Sequence, residues 1–328
     1  MLDVFQRILL QEGFDAADAQ QTARIFCESS IDGVYTHGVN RFFRFVEYVR
    51  KGYVQPGQKP SLESKAGNIE QWDGNLGPGP LNALFSTEQA MNIARNSGIG
   101  CVALSNTNHW MRGGTYGWHA AKQGFFFIGF TNTIANMPAW GALDKKLGNN
   151  PLVIAIPYQE EAIVLDMAMS QYSIGALHQT AMKGEFLPVQ GGFDERGELT
   201  KDPAAILNSG RPLAIGYWKG SGLALLLDIL AALLSGGLST AGIGKNESEY
   251  AVSQVYIAVD CSMLKNYPSM NSVIDDIIAD YTQARVQERS TPIIYPGQRV
   301  LQTRERNLKH GIPVLTEVWN EIMGLLQS

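Results

Sequence analysis

The sequence has few cysteines and little excess charge, and both facts exclude broad classes of protein. Its three cysteines, Cys27, Cys101 and Cys261, are far apart and show no CxxC spacing, which indicates reduced thiols in the cytoplasm rather than a disulfide framework. A net charge of −5 provides no basic surface for nucleic acid. With 45% hydrophobic and 17% charged residues, the chain can bury a large core and is not disordered.

A targeting segment and a long uninterrupted apolar run are also missing. The first apolar segment carries Asp3, Arg7 and Glu12, so it is predicted to be an amphipathic helix and not a signal peptide. The longest apolar run, residues 223–234, contains Asp228 and is shorter than the roughly 20 residues that a membrane span needs. We therefore expect a soluble cytoplasmic protein with no membrane partner.

Several familiar enzyme motifs do not occur. The patterns GxxxxGK[ST], HExxH and GxSxG are absent, and the five histidines show no metal-ligand spacing. Gly98 and Gly100 form a two-glycine cluster, but it follows a predicted helix and precedes a predicted strand. The dinucleotide fingerprint needs the opposite order, in which the phosphates meet a helix N-terminus. A Rossmann site and a metal centre are therefore disfavoured.

Hydrophobic periodicity divides the chain into helical ends around an α/β centre. Residues 1 to about 52 are helical in pattern, residues 53–60 are a connector, and a helical pattern resumes at about residue 270. Between them, short β-rich runs alternate with helices, which predicts an α/β fold with a mixed sheet whose strand order stays open. The proposed division is a helical domain, 1–60 with 270–328, and a central α/β domain, 61–269. The predicted strands are 69–72, 100–105, 125–132, 152–156, 163–167 and 254–259.

The first candidate site lies just after Thr36. If Thr36 caps a helix, His37 and Arg41 are four residues apart on one face. An imidazole beside a guanidinium suits a small carboxylate that must also gain or lose a proton. The alternative is a surface helix on which a histidine and an arginine are scattered.

Two more candidate sites follow apolar strands. Asn108, His109 and Arg112 lie in a glycine-containing loop at the C-terminal end of one strand, where α/β proteins bind ligands. Asp166 ends a second strand, where it can orient a histidine. The hydroxyl-rich residues after it are predicted to begin a helix whose free N–H groups suit a phosphate. The alternatives are a turn with a capped histidine, and an aspartate that only caps a helix.

A fourth candidate is the loop 216–222, which contains three glycines and Lys219. Lys219 is predicted to lie just before an apolar helix over 223–235, where its charge adds to the positive end of the helix. The glycines allow the backbone to approach a ligand closely. The alternative is a solvated lysine beside glycines that serve only helix packing.

Four stretches, in this order, resemble the type-2 malate/L-lactate dehydrogenase family. They are GVYTHGVNRF at 33–42, NHWMRGGTYG at 108–117, LPVQGGFD at 187–194 and GYWKGSG at 216–222. The resemblance covers nearly the whole chain and implies an NAD(P)-dependent oxidoreductase with a non-Rossmann cofactor fold. It further implies a homodimer whose active site lies near the subunit junction.

The same resemblance implies roles for individual residues. His37 matches a proton-donor histidine, His109 matches a second acid/base histidine, and Arg41 matches an arginine that contacts the substrate carboxylate. We add Asp166 as a catalytic candidate and Asn108 as a substrate-binding candidate. The residues that match cofactor-binding segments are Met167, Ala168, Met169, Ser170, Gln171, Tyr172, Ser173, Trp218, Lys219, Gly297, Gln298 and Arg299.

These expectations describe an NADH-dependent reductase of a 2-oxo (diketo) sugar acid in carbohydrate metabolism. NADP stays open as a cofactor, because Gln298 and Arg299 stand where the family usually has acidic residues and Arg299 can tolerate a 2′-phosphate. Malate, lactate, ureidoglycolate or a cyclic imine are alternative substrates within the family. A non-catalytic protein that binds sugar acids or nucleotides is the alternative from another class.

Overall fold

A computed structural model of the protein describes residues 1–286 and 292–326. Within these ranges the helices are α1 (Leu2–Gln11), α2 (Ala16–Ile31), α3 (Val39–Arg50), α4 (Gly79–Ser97), α5 (Gly114–Ala121), α6 (Ile174–Met182), α7 (Pro203–Ser209), α8 (Trp218–Ser235), α9 (Thr240–Ile243), α10 (Met270–Thr282), α11 (Gln298–His310) and α12 (Thr316–Gly324). The strands are β1 (Ser61–Ala66), β2 (Ile69–Asp73), β3 (Ile99–Thr107), β4 (Phe125–Thr131), β5 (Met137–Pro138), β6 (Lys145–Leu147), β7 (Leu152–Tyr158), β8 (Glu161–Met167), β9 (Gly192–Phe193), β10 (Leu199–Thr200), β11 (Arg211–Pro212) and β12 (Val252–Asp260).

A mixed sheet of seven strands forms the centre, in the order β1-β2-β3-β12-β4-β7-β8. β2 and β3 are parallel, and the other neighbours are antiparallel. β12, from late in the chain, lies in the middle, where Ile257 pairs with Cys101 on one side and Ile128 on the other. The α/β class and the mixed sheet are confirmed, and each of the six predicted strands matches an observed strand to within two residues.

Helices cover both faces of this sheet. α4 and α5 pack on one face, around the buried aromatic side chains of Trp110, Tyr116 and Tyr256. α8 packs on the other face through small and apolar side chains such as Ala224 and Leu227. The opposite side of α8 is exposed and carries Leu225, Leu226, Ile229, Leu230 and Leu233.

α8 is longer than the helix that was predicted over residues 223–235. The helix begins at Trp218, five residues before the predicted start, and has 18 residues with a mean hydropathy of 1.4. By length and composition alone this helix is long and apolar enough to cross a membrane, which the run 223–234 is not, but one such helix is weak evidence because core helices of soluble proteins share these properties. Asp228 accepts hydrogen bonds from Asn132 Nδ2 (2.9 Å) and from the N–H of Thr240 (2.7 Å), which tie the helix to neighbouring loops.

The two ends of the chain form a helical layer, as predicted. Phe5 of α1 stacks on Phe42 of α3 with ring centroids 3.9 Å apart, and Phe26 of α2 meets Phe42 edge-on. Ile322 of α12 and Leu325 complete this apolar cluster. α10 lies apart from it, beside the β7–β8 hairpin, where Tyr158 donates to Asp275. The division into domains at residues 60 and 270 stays a prediction.

Candidate active site

His37 lies in a 3₁₀ turn, Tyr35–His37, and not on α3. The predicted cap at Thr36 is therefore wrong, because tertiary packing decides where the helix begins. The hydroxyl of Ser30 accepts the N–H of Val39 (2.8 Å), and Gly38 packs so closely on α2 that a side chain there would overlap Ser30. His37 and Arg41 nevertheless stay neighbours, since the turn leads directly into the first turn of α3.

The His109 loop begins where β3 ends, and Asn108 anchors it. The Asn108 amide nitrogen donates to the carbonyl oxygens of Tyr53 (3.0 Å), Leu76 (2.8 Å) and Gly77 (3.1 Å). Only 2% of Asn108 is exposed. Asn108 therefore holds the loop in place, and its predicted contact with substrate stays a prediction.

The two candidate histidines meet face to face. Their rings stack with centroids 5.6 Å apart and an angle of 11° between the ring planes. The backbone N–H of Met111 donates to His109 Nδ1 (3.0 Å). Because Nδ1 accepts this bond, the proton of the neutral ring is on Nε2. Burial, with the charges of Arg41 and His37, holds the pKa of His109 well below its ordinary value, so near neutral pH this ring is an N–H donor.

His37 has different surroundings. Burial lowers its pKa, the Asp166 carboxylate acts in the opposite direction, and the charges of Arg41 and Arg112 add to the lowering. Asp166 is the penultimate residue of β8 and accepts the N–H of Gly114 (2.8 Å), where the lack of a side chain lets the carboxylate approach. A nearby carboxylate favours the imidazolium form, so of the two rings His37 is the better proton carrier.

Arg41 is a positively charged residue of the site that is available to bind an anion. Its guanidinium makes no hydrogen bond or ion pair with any residue in the described ranges. Burial lowers its pKa, the neighbouring charge of Arg44 adds to this, and Glu249 opposes it. A half-buried cation without a partner is costly, and an anionic ligand removes that cost. The small pocket beside it is lined by Arg41, Arg44, Phe45, Tyr48, Val54, Asn108, His109 and Met111.

The predicted cofactor segment 167–173, at the end of β8, pairs with the residues that precede the second predicted segment, Trp218 and Lys219. Gln171 donates its N–H to Leu213 O (2.7 Å), and Ile215 donates to Met169 O (2.9 Å). The segment 167–173 is thereby joined to the strand-like stretch that leads into α8. Lys219 lies in the first turn of α8, which corrects the expectation that it precedes the helix. Trp218 and Lys219 are exposed there.

The third predicted segment is attached to the same edge strand. Val164 of β8 donates its N–H to Pro296 O (3.2 Å). Gly297 has φ of +93°, and a Cβ on it would lie 3.1 Å from the Val164 nitrogen, so this position requires glycine. Gln298 accepts the N–H of Tyr295 (3.3 Å), while Arg299 is exposed. The cofactor contacts of all three segments stay predictions.

The start of α6 suits the phosphates of a dinucleotide. Ser173 caps the helix by accepting the N–H of Ala176 (3.1 Å), as predicted for a helix that begins in this stretch. The N–H groups of Ile174 and Gly175 have no hydrogen-bond partner among the residues described. A Cβ on Gly175 would lie 2.7 Å from Thr36 Cγ2, so this helix end adjoins the His37 turn. Free N–H groups at a helix start favour an anion.

Two residues at this site were not singled out from the sequence. Asp32 and Arg304 are buried or half-buried partners that are 272 positions apart in the chain. Each is a single charged residue in an ordinary helical pattern, and only the tertiary structure brings them together. Sequence patterns carried no signal for this pair.

Comparison with known proteins gives a family and several relatives. The model of the family "Malate/L-lactate dehydrogenase" matches residues 1–323. A 2,3-diketo-L-gulonate reductase of Citrobacter koseri is 41% identical over 98% of this chain and 97% of its own length, and one of Escherichia coli O6:K15:H31 is 42% identical with the same coverage. Among solved structures, malate dehydrogenase from Pyrococcus horikoshii OT3 is 26% identical with a TM-score of 0.89, covering 99% of this chain and 92% of that one. Sulfolactate dehydrogenase from Methanocaldococcus jannaschii is also 26% identical with a TM-score of 0.89, covering 99% and 94%.

Proposed function

Because this chain belongs to the malate/L-lactate dehydrogenase family, we propose that it is a reductase that converts 2,3-diketo-L-gulonate to 3-dehydro-L-gulonate with NADH. Family membership makes it an oxidoreductase that uses a nicotinamide cofactor. The substrate within the sugar acids and the choice of NADH are the proposed part. Relatives that carry this reductase name and are 41–42% identical over 98% of the chain support it.

The observation that carries the proposal is the guanidinium of Arg41, which has no partner within residues 1–286 and 292–326 and lies next to the stacked rings of His37 and His109. A 2-oxo acid presents a carboxylate directly bonded to the carbonyl carbon that is reduced. The pocket is lined by Arg41 and His109, and His37 stacks on His109. This arrangement matches that pattern, because the cation can bind the anion while the imidazoles contact the adjacent oxygen.

Each residue then has one task. Arg41 binds the carboxylate through a bidentate fork and so fixes which face of the carbonyl is attacked. His109, neutral with its proton on Nε2, donates a hydrogen bond to the carbonyl oxygen and stabilises negative charge that develops there. His37 gives a proton to that oxygen, and Asp166 supports its imidazolium form. When bound, the reduced nicotinamide supplies the hydride, so hydride and proton together convert C=O to CH–OH.

The cofactor is proposed to lie along the end of β8. The free N–H groups of Ile174 and Gly175 and the side chain of Lys219 would hold its phosphates. Gly297, Gln298 and Arg299 would approach the adenosine end, where Arg299 leaves room for NADPH as a second cofactor. We further propose that the enzyme is soluble and cytoplasmic and works in carbohydrate metabolism.

Turnover with a panel of substrates tests this function. The nicotinamide absorbance is followed with NADH or NADPH and 2,3-diketo-L-gulonate, oxaloacetate, pyruvate or a cyclic imine. We expect the highest kcat/KM with the diketo acid and NADH. A higher value for another acid would identify a different dehydrogenase of the family. Fluorescence titration that shows NADH binding without oxidation by any substrate would contradict catalysis and favour a binding protein.

The pH dependence should report His37. Because the donor must be protonated, kcat/KM for reduction is expected to fall as pH rises through the His37 pKa, which burial holds below its ordinary value. Asp166→Asn removes the charge that raises this pKa and can still accept the Gly114 N–H. The fall should therefore move to lower pH, with a loss of about threefold to tenfold at pH 7.5 that disappears under acidic conditions.

Glu88→Gln is the matched control for this change. Glu88 pairs with His119 Nε2 (2.5 Å) on a partly exposed part of α4 and α5, away from the proposed site. Removing its charge should leave the pH profile unchanged. An Asp166→Asn profile that keeps its position while the rate drops equally at every pH would contradict the electrostatic role of Asp166.

The exposed leucines of α8 support the proposed homodimer. Leu226 is 56% exposed and Leu233 is 74% exposed, and together with their neighbours they form one apolar face. A face of this kind on a soluble protein marks a contact surface. Leu226→Glu is expected to convert the dimer to a monomer in sedimentation velocity, because a buried charge would lose its hydration. Leu308→Glu, at a 67% exposed leucine of α11, is the control, and a dimer that survives Leu226→Glu would contradict this interface.

A further inference from the structure

Asp32 is a buried carboxylate on which two arginines from distant elements converge. Arg304 of α11 donates from Nε (2.6 Å) and Nη2 (2.9 Å) to its two oxygens. Arg112, from the loop after His109, donates to Asp32 through Nη1. Only 7% of Asp32 and 4% of Arg112 are exposed. Burial opposes ionisation of Asp32, but the hydrogen bonds from Arg304 and the charge of Arg112 hold its pKa below the ordinary value.

On one side, this ion network holds the turn that carries His37. Asp32 directly follows α2, and Gly33 next to it lies against Thr303 of α11 with φ of +82°. Asn307, one turn further along α11, donates to Ile31 O (2.9 Å) and to the hydroxyl of Tyr35 (3.1 Å). α11 therefore contacts the chain on both sides of Asp32, as far as the turn whose last residue is His37.

On the other side, the network holds the loop that carries His109. Arg112 is three residues beyond His109. Two residues later α5 begins at Gly114, whose N–H donates to Asp166. Arg112 thus joins the His109 loop to the same carboxylate that anchors the His37 turn. The stacking of the two rings depends on the relative position of these two segments.

Stability alone is a weak reason for such a network. Moving three charges out of water costs about as much as their attraction returns, so a buried ion network adds little net stability over apolar packing. What it does provide is a fixed geometry, because the planar forks of two arginines on one carboxylate allow few arrangements.

We propose that Arg304 is a positioning residue of the active site, which acts through Asp32 to fix the spacing and tilt of His37 relative to His109. This inference rests on the proposed function, because it concerns proton donation by His37. Arg304 also donates to Glu161 (3.4 Å) and lies over the Trp118 ring, contacts that hold α11 against β8 and α5.

The test replaces Arg304 by glutamine, which leaves Asp32 paired with Arg112. We expect kcat for the reduction of 2,3-diketo-L-gulonate to fall roughly 10- to 100-fold, since a small displacement of a catalytic group has effects of this size. KM and the Kd of NADH should stay within about threefold, and the solvent isotope effect on kcat should rise as proton transfer becomes limiting. Glu161→Gln, which removes the other carboxylate near Arg304, should leave kcat within about twofold.

A double-mutant cycle separates positioning from general loss of structure. In a His37→Ala background, Arg304→Gln should cause no further loss of kcat, because the group that it positions is gone. Losses that multiply, or an Arg304→Gln enzyme with normal kcat, would overturn the inference. If Arg304→Gln does not fold, Arg304→Lys provides the same comparison with the charge retained. Full activity of His37→Ala itself would instead overturn the proposed role of His37.

Discussion

Replacing His37 by alanine is expected to lower kcat for 2,3-diketo-L-gulonate reduction by roughly 10²- to 10⁴-fold, which is the usual contribution of a positioned proton donor. Binding of NADH should be almost unchanged, because the proposed cofactor segments begin at Met167 and do not include this turn. Steady-state kinetics and a fluorescence titration with NADH measure the two effects separately. A kcat within a few-fold of the wild-type value would refute the assignment.

The pH profile distinguishes His37 from His109. His109→Ala should also slow the reaction, by about 10²-fold, through loss of one hydrogen bond to the developing oxyanion. Its remaining activity should keep the wild-type dependence on pH, since the neutral His109 ring does not titrate near pH 7. His37→Ala should remove that dependence. His119→Ala is the matched control, because His119 pairs with Glu88 away from the proposed site.

Replacing Arg41 by leucine is expected to lower kcat/KM by roughly 10²- to 10³-fold, mainly through a higher KM. The substrate carboxylate would lose its only proposed cationic partner, and truncating one member of a buried charge pair costs about 2–5 kcal/mol. Arg41→Lys keeps the charge but loses the planar fork, so its KM should rise about tenfold with little change in kcat. Initial rates over a range of diketo acid at saturating NADH give both parameters.

The free enzyme provides an independent check on Arg41. Its guanidinium is half-buried and has no partner among the residues described, so Arg41→Leu should melt at or above the wild-type temperature while losing activity. Arg24→Gln serves as the control, since Arg24 is an exposed residue paired with Glu28 on α2. An unchanged KM together with a weaker Kd for NADH would contradict the carboxylate role and assign Arg41 to the cofactor.

Much of the fold could be predicted because local patterns report local structure. The six β-rich runs are strands in the structure, and a helix begins in the hydroxyl-rich stretch after Asp166, where Ser173 caps α6. β1 was missed because all of its residues, Ser61–Ala66, are exposed and show no alternation of apolar side chains. The position of β12 at the centre of the sheet could not be predicted from the sequence, because its neighbours are set by contacts between residues that are far apart in the chain.

The candidate site shows the same limit. His37, His109 and Arg41 were chosen from motifs, and the structure brings them together. The start of α3 was predicted wrongly because Ser30, on another helix, supplies the cap that Thr36 was expected to supply. Asp32 and Arg304 could not be paired from the sequence at all, because nothing in a single chain links two residues so far apart.

β12 lies at the centre of the sheet but is the last of its strands to be synthesised, and this order affects folding during synthesis. β12 lies between β3 and β4, where Gln254 pairs with Leu104 on one side and with Thr131 on the other. β3 and β4 leave the ribosome long before β12 does. Until then both strands expose unpaired edges, and such edges favour aggregation. A nascent chain that stops before residue 252 should therefore bind chaperones, and an active enzyme can form only after β12 has been synthesised.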